Sequence, residues 1–177
     1  MPARIAFYMD RLLAIDLAWC LRFNRASQKH WIRRVFCVIS RMGDGLFWYA
    51  LMLGIMLAQG REGWLPCLHM LAVGLSSLGT YRLLKSSASR PRPYEVSQAI
   101  AMGMPPLDRF SFPSGHTLHA VAFTIVALAY YPGLAWLLLP FTLLVAASRV
   151  ILGLHYPSDV LAGAVIGGSI ACISFMA

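Results

Sequence analysis

Five apolar stretches, at residues 43–59, 64–84, 115–131, 133–151 and 157–176, take up most of the chain. A helix that crosses a bilayer needs about 20 mainly apolar residues. Backbone N–H and C=O groups in hydrocarbon must bond to one another within the segment, so stretches of this kind fold as helices. The sequence is 59% hydrophobic and only 12% charged, against about 25% charged in soluble domains. The expected fold class is therefore all-α: an integral membrane helical bundle with about five transmembrane helices. Its 177 residues suit one domain, with a transmembrane core over 43–177 behind an N-terminal region over 1–42.

That N-terminal region reads differently. Ile5, Tyr8, Leu12, Leu13, Ile15, Trp19 and Leu21 alternate with Asp10, Arg11, Asp16 and Arg22. After a break at 24–27, Trp31, Val35, Phe36, Val38 and Ile39 face Lys29, Arg33 and Arg34. The pattern predicts two amphipathic helices lying in the membrane interface. The formal net charge is +8, and residues 1–42 hold eight basic side chains against Asp10 and Asp16. Such a cluster suits an anionic lipid surface. Nucleic acid is the poorer partner for a chain that is mostly hydrocarbon-like. Cys20, Cys37, Cys67 and Cys172 show no metal spacing and read as small hydrophobes.

Charged residues at the ends of membrane segments are costly unless they face a polar site. Three stretches place them there: K-x6-R-P from Lys85 to Pro93, P-S-G-H from Pro113 to His116, and S-R-x5-H-x3-D from Ser148 to Asp159. Lys85 ends the second apolar stretch, His116 begins the third, Arg149 ends the fourth and Asp159 begins the fifth. Alternating helices bring all four to one side of the membrane. The polar segment 86–114 lies on that side too, and loops of such length are usually functional or disordered.

Each motif has its own chemistry. Pro157 suits the first position of a helix, so Asp159 falls in the first turn, where its carboxylate can reach back to His155. A carboxylate on one imidazole nitrogen fixes the tautomer and leaves the other free to attack. Ser114 is a good N-cap, and Gly115 permits close backbone approach. The helix N-terminus they open attracts anions and places His116 to protonate a leaving oxygen. Lys85, Arg92 and Arg149 supply the charge that phosphoryl groups need, with guanidinium forks matching phosphate oxygens. Arg82, Arg90 and Arg109 are expected to snorkel to the interface. Asp44 is expected to cap a helix, His69 to bond between helices, and His119 either to support His116 or to pack.

With all three motifs filled, residues 85–159 resemble the type 2 phosphatidic acid phosphatase (PAP2) superfamily, which includes lipid phosphatases, glucose-6-phosphatase and vanadium haloperoxidases. Residues 40–45 (SRMGDG) look like the stretch before an early span in small bacterial members. The resemblance implies that His155 is a nucleophile forming a phosphohistidine, that Asp159 orients it, and that His116 is the acid for the leaving group. It implies that Lys85, Arg92, Ser114, Gly115 and Arg149 hold the phosphate, with no metal or other cofactor required. The expected substrate is a lipid phosphate or diphosphate of the phosphatidate, phosphatidylglycerophosphate or polyprenyl diphosphate type. Lipid A phosphate hydrolysis or phosphotransfer is an alternative, as is a non-catalytic lipid-binding membrane protein. The apolar spans argue against a haloperoxidase, whose family pattern is soluble.

Residues 100–107 form an apolar patch inside the polar loop and are expected to dip into the interface as a lid. The expected location is the cytoplasmic (inner) membrane, with several passes and lipids as partners; the oligomeric state is open. Two expectations conflict over which side the site faces. Resemblance to bacterial lipid phosphatases implies an outward site, whereas five spans and the basic N-terminus imply a cytoplasmic one by the positive-inside rule.

Overall fold

The structure, a computed structural model, describes residues 3–176, with side chains described from Arg11 onward. Met1, Pro2 and Ala177, and the side chains of Arg4, Ile5, Tyr8 and Asp10, lie outside the described residues. In chain order the helices are α1 (Ala3–Asn24), α2 (His30–Arg41), α3 (Phe47–Gln59), α4 (Trp64–Ser86), the single turn α5 (Pro93–Val96), α6 (Gly115–Tyr130), α7 (Ala135–Ile151) and α8 (Pro157–Ser174). No strand occurs among the described residues.

Three continuous helical stretches are long and apolar enough to cross a membrane: His30–Ser86, Pro132–Ile151 and Pro157–Ser174. The first runs α2, α3 and α4 together. With 16 residues, α6 is about 24 Å long, and α3 with 13 residues is about 20 Å, at ~1.5 Å per residue. Both fall short of a hydrocarbon core of about 30 Å. All five expected apolar helices are present, but they differ in reach.

Short connections at Gly60–Gly63 and Pro132–Leu134 make consecutive helices antiparallel. α6 is central and packs on α4, α7 and α8. Lipid tails are as apolar as leucine, so burial alone does not drive helices together here; close packing of small residues does. The small-residue face of α8 serves that purpose. A Cβ at Gly163 would lie 2.5 Å from the Ser114 carbonyl oxygen, and one at Gly167 only 2.1 Å from that of Leu118. Thr124 and Thr142 add a 2.5 Å hydroxyl contact between α6 and α7. At the end away from the polar loop, His69 bonds Tyr130 at 3.0 Å and Ser174 at 2.8 Å, as a helix–helix link.

α1 turns Leu12, Leu13, Trp19 and Phe23 outward and buries Asp16, Cys20 and Asn24. The Asn24 amide donates to the carbonyls of Ala101 and Ile151, each at 2.9 Å, and its oxygen accepts from the Ala101 amide at 2.8 Å. Ile100 packs against Cys20, Val150 and Tyr156, and the Gly103 amide donates to the Leu152 carbonyl at 2.9 Å. The start of the 100–107 patch is thus pinned to the bundle rather than free as a lid; only Met102 and Leu107 project as large exposed apolar residues. Sequence pattern showed its apolarity but not Asn24, which lies far away along the chain.

α2 does not simply stop before α3. A wide π-type turn, Met42–Leu46, joins them, with Gly45 at φ 137°, a region open to glycine. The expected cap at Asp44 is not formed: α3 has Leu46 at its N-cap position and no side-chain cap. Asp44 stays exposed and turns its carboxylate against His116 at the cavity wall instead.

Candidate active site

The site gathers where α4 and α7 end and α6 and α8 begin, beneath the 86–114 loop. The turn after α7 brings His155 back to it. Gly153, at φ +72°, makes that turn tight, and a Cβ there would lie 2.9 Å from the Ala101 carbonyl. The Leu154 and His155 amides both donate to the Arg149 carbonyl, at 3.0 and 3.1 Å.

Asp159 is fully buried, so its carboxylate needs partners to offset lost hydration. It has several. Arg90 donates to Oδ1 at 2.7 Å, the Tyr156 amide to Oδ2 at 2.9 Å, and the Ser111 hydroxyl also to Oδ2. The Tyr156 bond makes Asp159 a helix cap as well. Its Oδ2 lies 3.9 Å from His155 Nδ1, facing it beyond hydrogen-bond length.

His155 is buried, with Nε2 3.4 Å from an Arg92 terminal nitrogen. Arginine only donates, which places the imidazole lone pair on Nε2 and the proton on Nδ1, toward Asp159. Burial, followed by the charges of Arg149, Arg92 and Lys85, holds the imidazole pKa well below the ordinary 6.5. A neutral imidazole is the form that can attack.

The cations surround it. Arg92 is 1% exposed and donates to the Leu154 carbonyl at 2.6 Å, the Asp108 carbonyl at 3.0 Å and Asp108 Oδ1 at 2.7 Å. Lys85 pairs with the same Asp108 oxygen at 2.9 Å and lies 3.5 Å from the Pro113 carbonyl. Arg149 donates to the Ser40 hydroxyl, while its Nε has no partner.

At the start of α6, Ser114 occupies the N-cap position, but its hydroxyl meets Thr117 Oγ1 at 3.0 Å instead of capping a backbone amide. A Cβ on Gly115 would sit 2.7 Å from the Tyr81 ring, so this position is kept small by contact. His116 turns Nε2 against the Asp44 carboxylate, a contact that becomes an ion pair when the imidazole is protonated. His119 packs in the second turn, with Nδ1 2.9 Å from the Gly115 carbonyl.

Five buried side-chain polar atoms lack a partner among the described residues, and three of them belong to His116, Arg149 and His155. Buried polar groups are nearly always bonded; with His116 Nε2 against Asp44 and His155 Nδ1 toward Asp159, Arg149 Nε is the atom that points to a ligand. All three line a cavity of about 340 Å³ with Arg92, Asp44 and Asp108. Its remaining wall is largely apolar, from Trp48, Leu71, Leu75, Leu78 and Phe123.

The residues singled out from the sequence do gather in one place, but sequence reasoning missed their supports. Arg90 does not snorkel: it bridges Asp159 to Asp16 of α1, whose Oδ2 it meets at 2.6 Å. Asp16 also accepts from the Ser158 amide at 3.1 Å and from its hydroxyl. Asp108 was not singled out. It receives Lys85, Arg92 and the Tyr81 hydroxyl. Although burial opposes ionisation, those bonds and charges hold its carboxyl below the usual 3.8. The available signal was that Asp108 and Glu95 are the only acids in the cation-rich 86–114 loop.

Comparison with known proteins supplies independent findings. The family model described as "PAP2 superfamily" matches residues 64–177. An undecaprenyl-diphosphatase, BcrC of Bacillus subtilis, is 34% identical over 102 residues, covering 58% of this chain and 52% of that protein. A decaprenylphosphoryl-5-phosphoribose phosphatase of Mycobacterium tuberculosis is 35% identical over 132 residues, covering 70% of this chain and 66% of that one. The chain thus spans about half to two thirds of the length of these relatives. The crystal structure of a PAP2-type phosphatidylglycerolphosphate phosphatase from Bacillus subtilis superposes with a TM-score of 0.77 at 25% identity, covering 97% of this chain and 88% of that chain. Aquifex aeolicus LpxE, at 23% identity and a TM-score of 0.78, shares the fold over 91% of this chain and 94% of its own.

Proposed function

Because the chain belongs to the PAP2 superfamily, we propose that it is a membrane-embedded phosphatase acting on a lipid-linked phosphate through a phosphohistidine. One observation carries this reading: a buried imidazole, His155, lies among the cations Arg92, Arg149 and Lys85 with one nitrogen toward Arg92 and the other toward Asp159.

In the proposed reaction, the phosphoryl oxygens take the place at Lys85 and Arg92 that the Asp108 carboxylate fills, and Arg149 completes the cradle. The α6 N-terminus, with Ser114 and Gly115, adds backbone donors. Nε2 of His155 attacks phosphorus, and the bond from phosphorus to the lipid oxygen breaks. His116 gives its proton to that oxygen. Water then attacks the phosphohistidine while His116 takes a proton back, releasing phosphate and restoring the imidazole. Catalysis is mostly positioning and charge stabilisation, as phosphoryl transfer requires. Asp159 orients the ring through its Nδ1 side. The apolar cavity wall suits a lipid chain entering from the membrane.

A panel of lipid phosphates and diphosphates, read by mass spectrometry with wild type and His155→Ala side by side, tests the reading. Wild type is expected to release phosphate from at least one lipid, and His155→Ala to lose that release by about 10³-fold or more. Full release by His155→Ala would exclude the mechanism.

A further inference from the structure

Charge is distributed unevenly along the cavity. Lys85 and Arg92 stand together on Asp108, beside His155. Beyond His116 the cavity offers the opposite sign, because the charged group against His116 is the Asp44 carboxylate. Asp44 is 30% exposed, lines the cavity, and has no Lys or Arg within ion-pair distance among the described residues. It lies in the π-type turn next to Gly43, where a Cβ would lie 3.1 Å from Val145. Trp48, Tyr49, Leu71 and Leu75 add apolar wall, and Arg149 is the cation near enough to act on both Asp44 and His116.

His116 faces the leaving oxygen in the proposed reaction, so whatever the departing group carries next to that oxygen meets Asp44. Resting on that reading, we propose that Asp44 sets specificity, selecting a lipid phosphomonoester whose leaving alcohol bears a neighbouring hydroxyl and disfavouring a diphosphate. A hydroxyl on the adjacent carbon can donate to the carboxylate, a charge-assisted bond of the stronger kind. In a diphosphate, the bridging oxygen is attached directly to a second anionic phosphate. That phosphate faces Asp44 as a like charge in a partly buried site, while Arg149, the nearby cation, is taken up by the phosphoryl group being transferred.

The test uses the full-length protein in detergent and three substrates: phosphatidylglycerol phosphate, which has the neighbouring hydroxyl; phosphatidic acid, whose leaving alcohol has none; and a polyprenyl diphosphate. Wild type should prefer the first over the third in kcat/KM by at least about tenfold, or ~1.4 kcal/mol. Asp44→Asn touches His116 and so should affect all three substrates, but it should lower kcat/KM for phosphatidylglycerol phosphate about tenfold more than for phosphatidic acid and should raise the diphosphate relative to phosphatidic acid. An equal fall on all three would make Asp44 a partner of His116 alone and overturn the proposal. A wild-type preference for the diphosphate would overturn it without any variant. If wild type turned over none of the three, the phosphatase reading would fall as well, which separates the two failures.

Discussion

At the residue scale, the proposed chemistry rests on keeping one imidazole uncharged beside several cations. His155 has its pKa lowered far below 6.5, first by burial and then by Arg149, Arg92 and Lys85. The sign follows directly. Between that lowered value and 6.5 the unfolded chain binds a proton that the native chain does not. The stability due to neutral His155 is therefore complete above pH 6.5 and is lost as pH falls toward the native value. In the proposed reaction, reactivity follows the same group, since only a neutral ring can attack. Nitrogen-15 NMR of labelled imidazole at about pH 6 should show His155 neutral, protonated on Nδ1. A titration midpoint at or above 6.5 would contradict this. The supports of His155 were hidden from the sequence for a physical reason. Arg90 resembles any interfacial arginine until Asp16, Ser158 and Asp159 are seen folded around it. Asp44, at the start of an apolar stretch, resembles a cap until the π-type turn aims it at His116.

At the element scale, the helix ends do the placing. Each motif marks an end: Lys85 in the last turn of α4, His116 in the first of α6, Arg149 in the last of α7, Asp159 in the first of α8. These were legible because a charge beside an apolar run is rare and its position in the run gives the end. The role of α1 was legible only in part. Its outward apolar face followed from periodicity, but its docking did not, because Asp16 sits on the opposite face and meets the 86–114 loop and the α8 start. α1 thereby joins the chain of contacts that holds Asp159. Asp16→Asn removes the charge that pairs with Arg90 and leaves the cation cluster untouched. Its expected effect is a fall in kcat of about tenfold with KM within about threefold, the split for a group that positions others without binding substrate. A loss confined to KM would place α1 at the substrate entrance instead.

At the scale of the whole molecule, the fold separates two ends. The site end carries the loop, α1 and α2, with Arg11, Arg22, Arg25, Lys29, Arg33, Arg34 and Arg41 among the described residues. The far end carries His69, Tyr130 and Ser174, exposed Trp64 and Trp136, and the Gly60–Gly63 turn with Arg61. Basic residues near span ends favour the cytoplasm and tryptophans favour interfaces. The arrangement predicts a site facing the cytoplasm. Gln98→Cys, exposed on the loop, in a chain with its four cysteines replaced, should react with a membrane-impermeant maleimide only after permeabilisation. Labelling in intact cells would reverse the orientation. Neither orientation alters the central claim, that phosphate passes through His155. Rapid quenching of the wild-type protein during turnover of a phosphate-labelled lipid, followed by peptide mass spectrometry, tests that claim most directly. A phosphoryl group on His155, stable to base, labile to acid and absent from His155→Ala, is the predicted result. Turnover with no such adduct, or with the adduct on another residue such as His116 or Ser114, would contradict it.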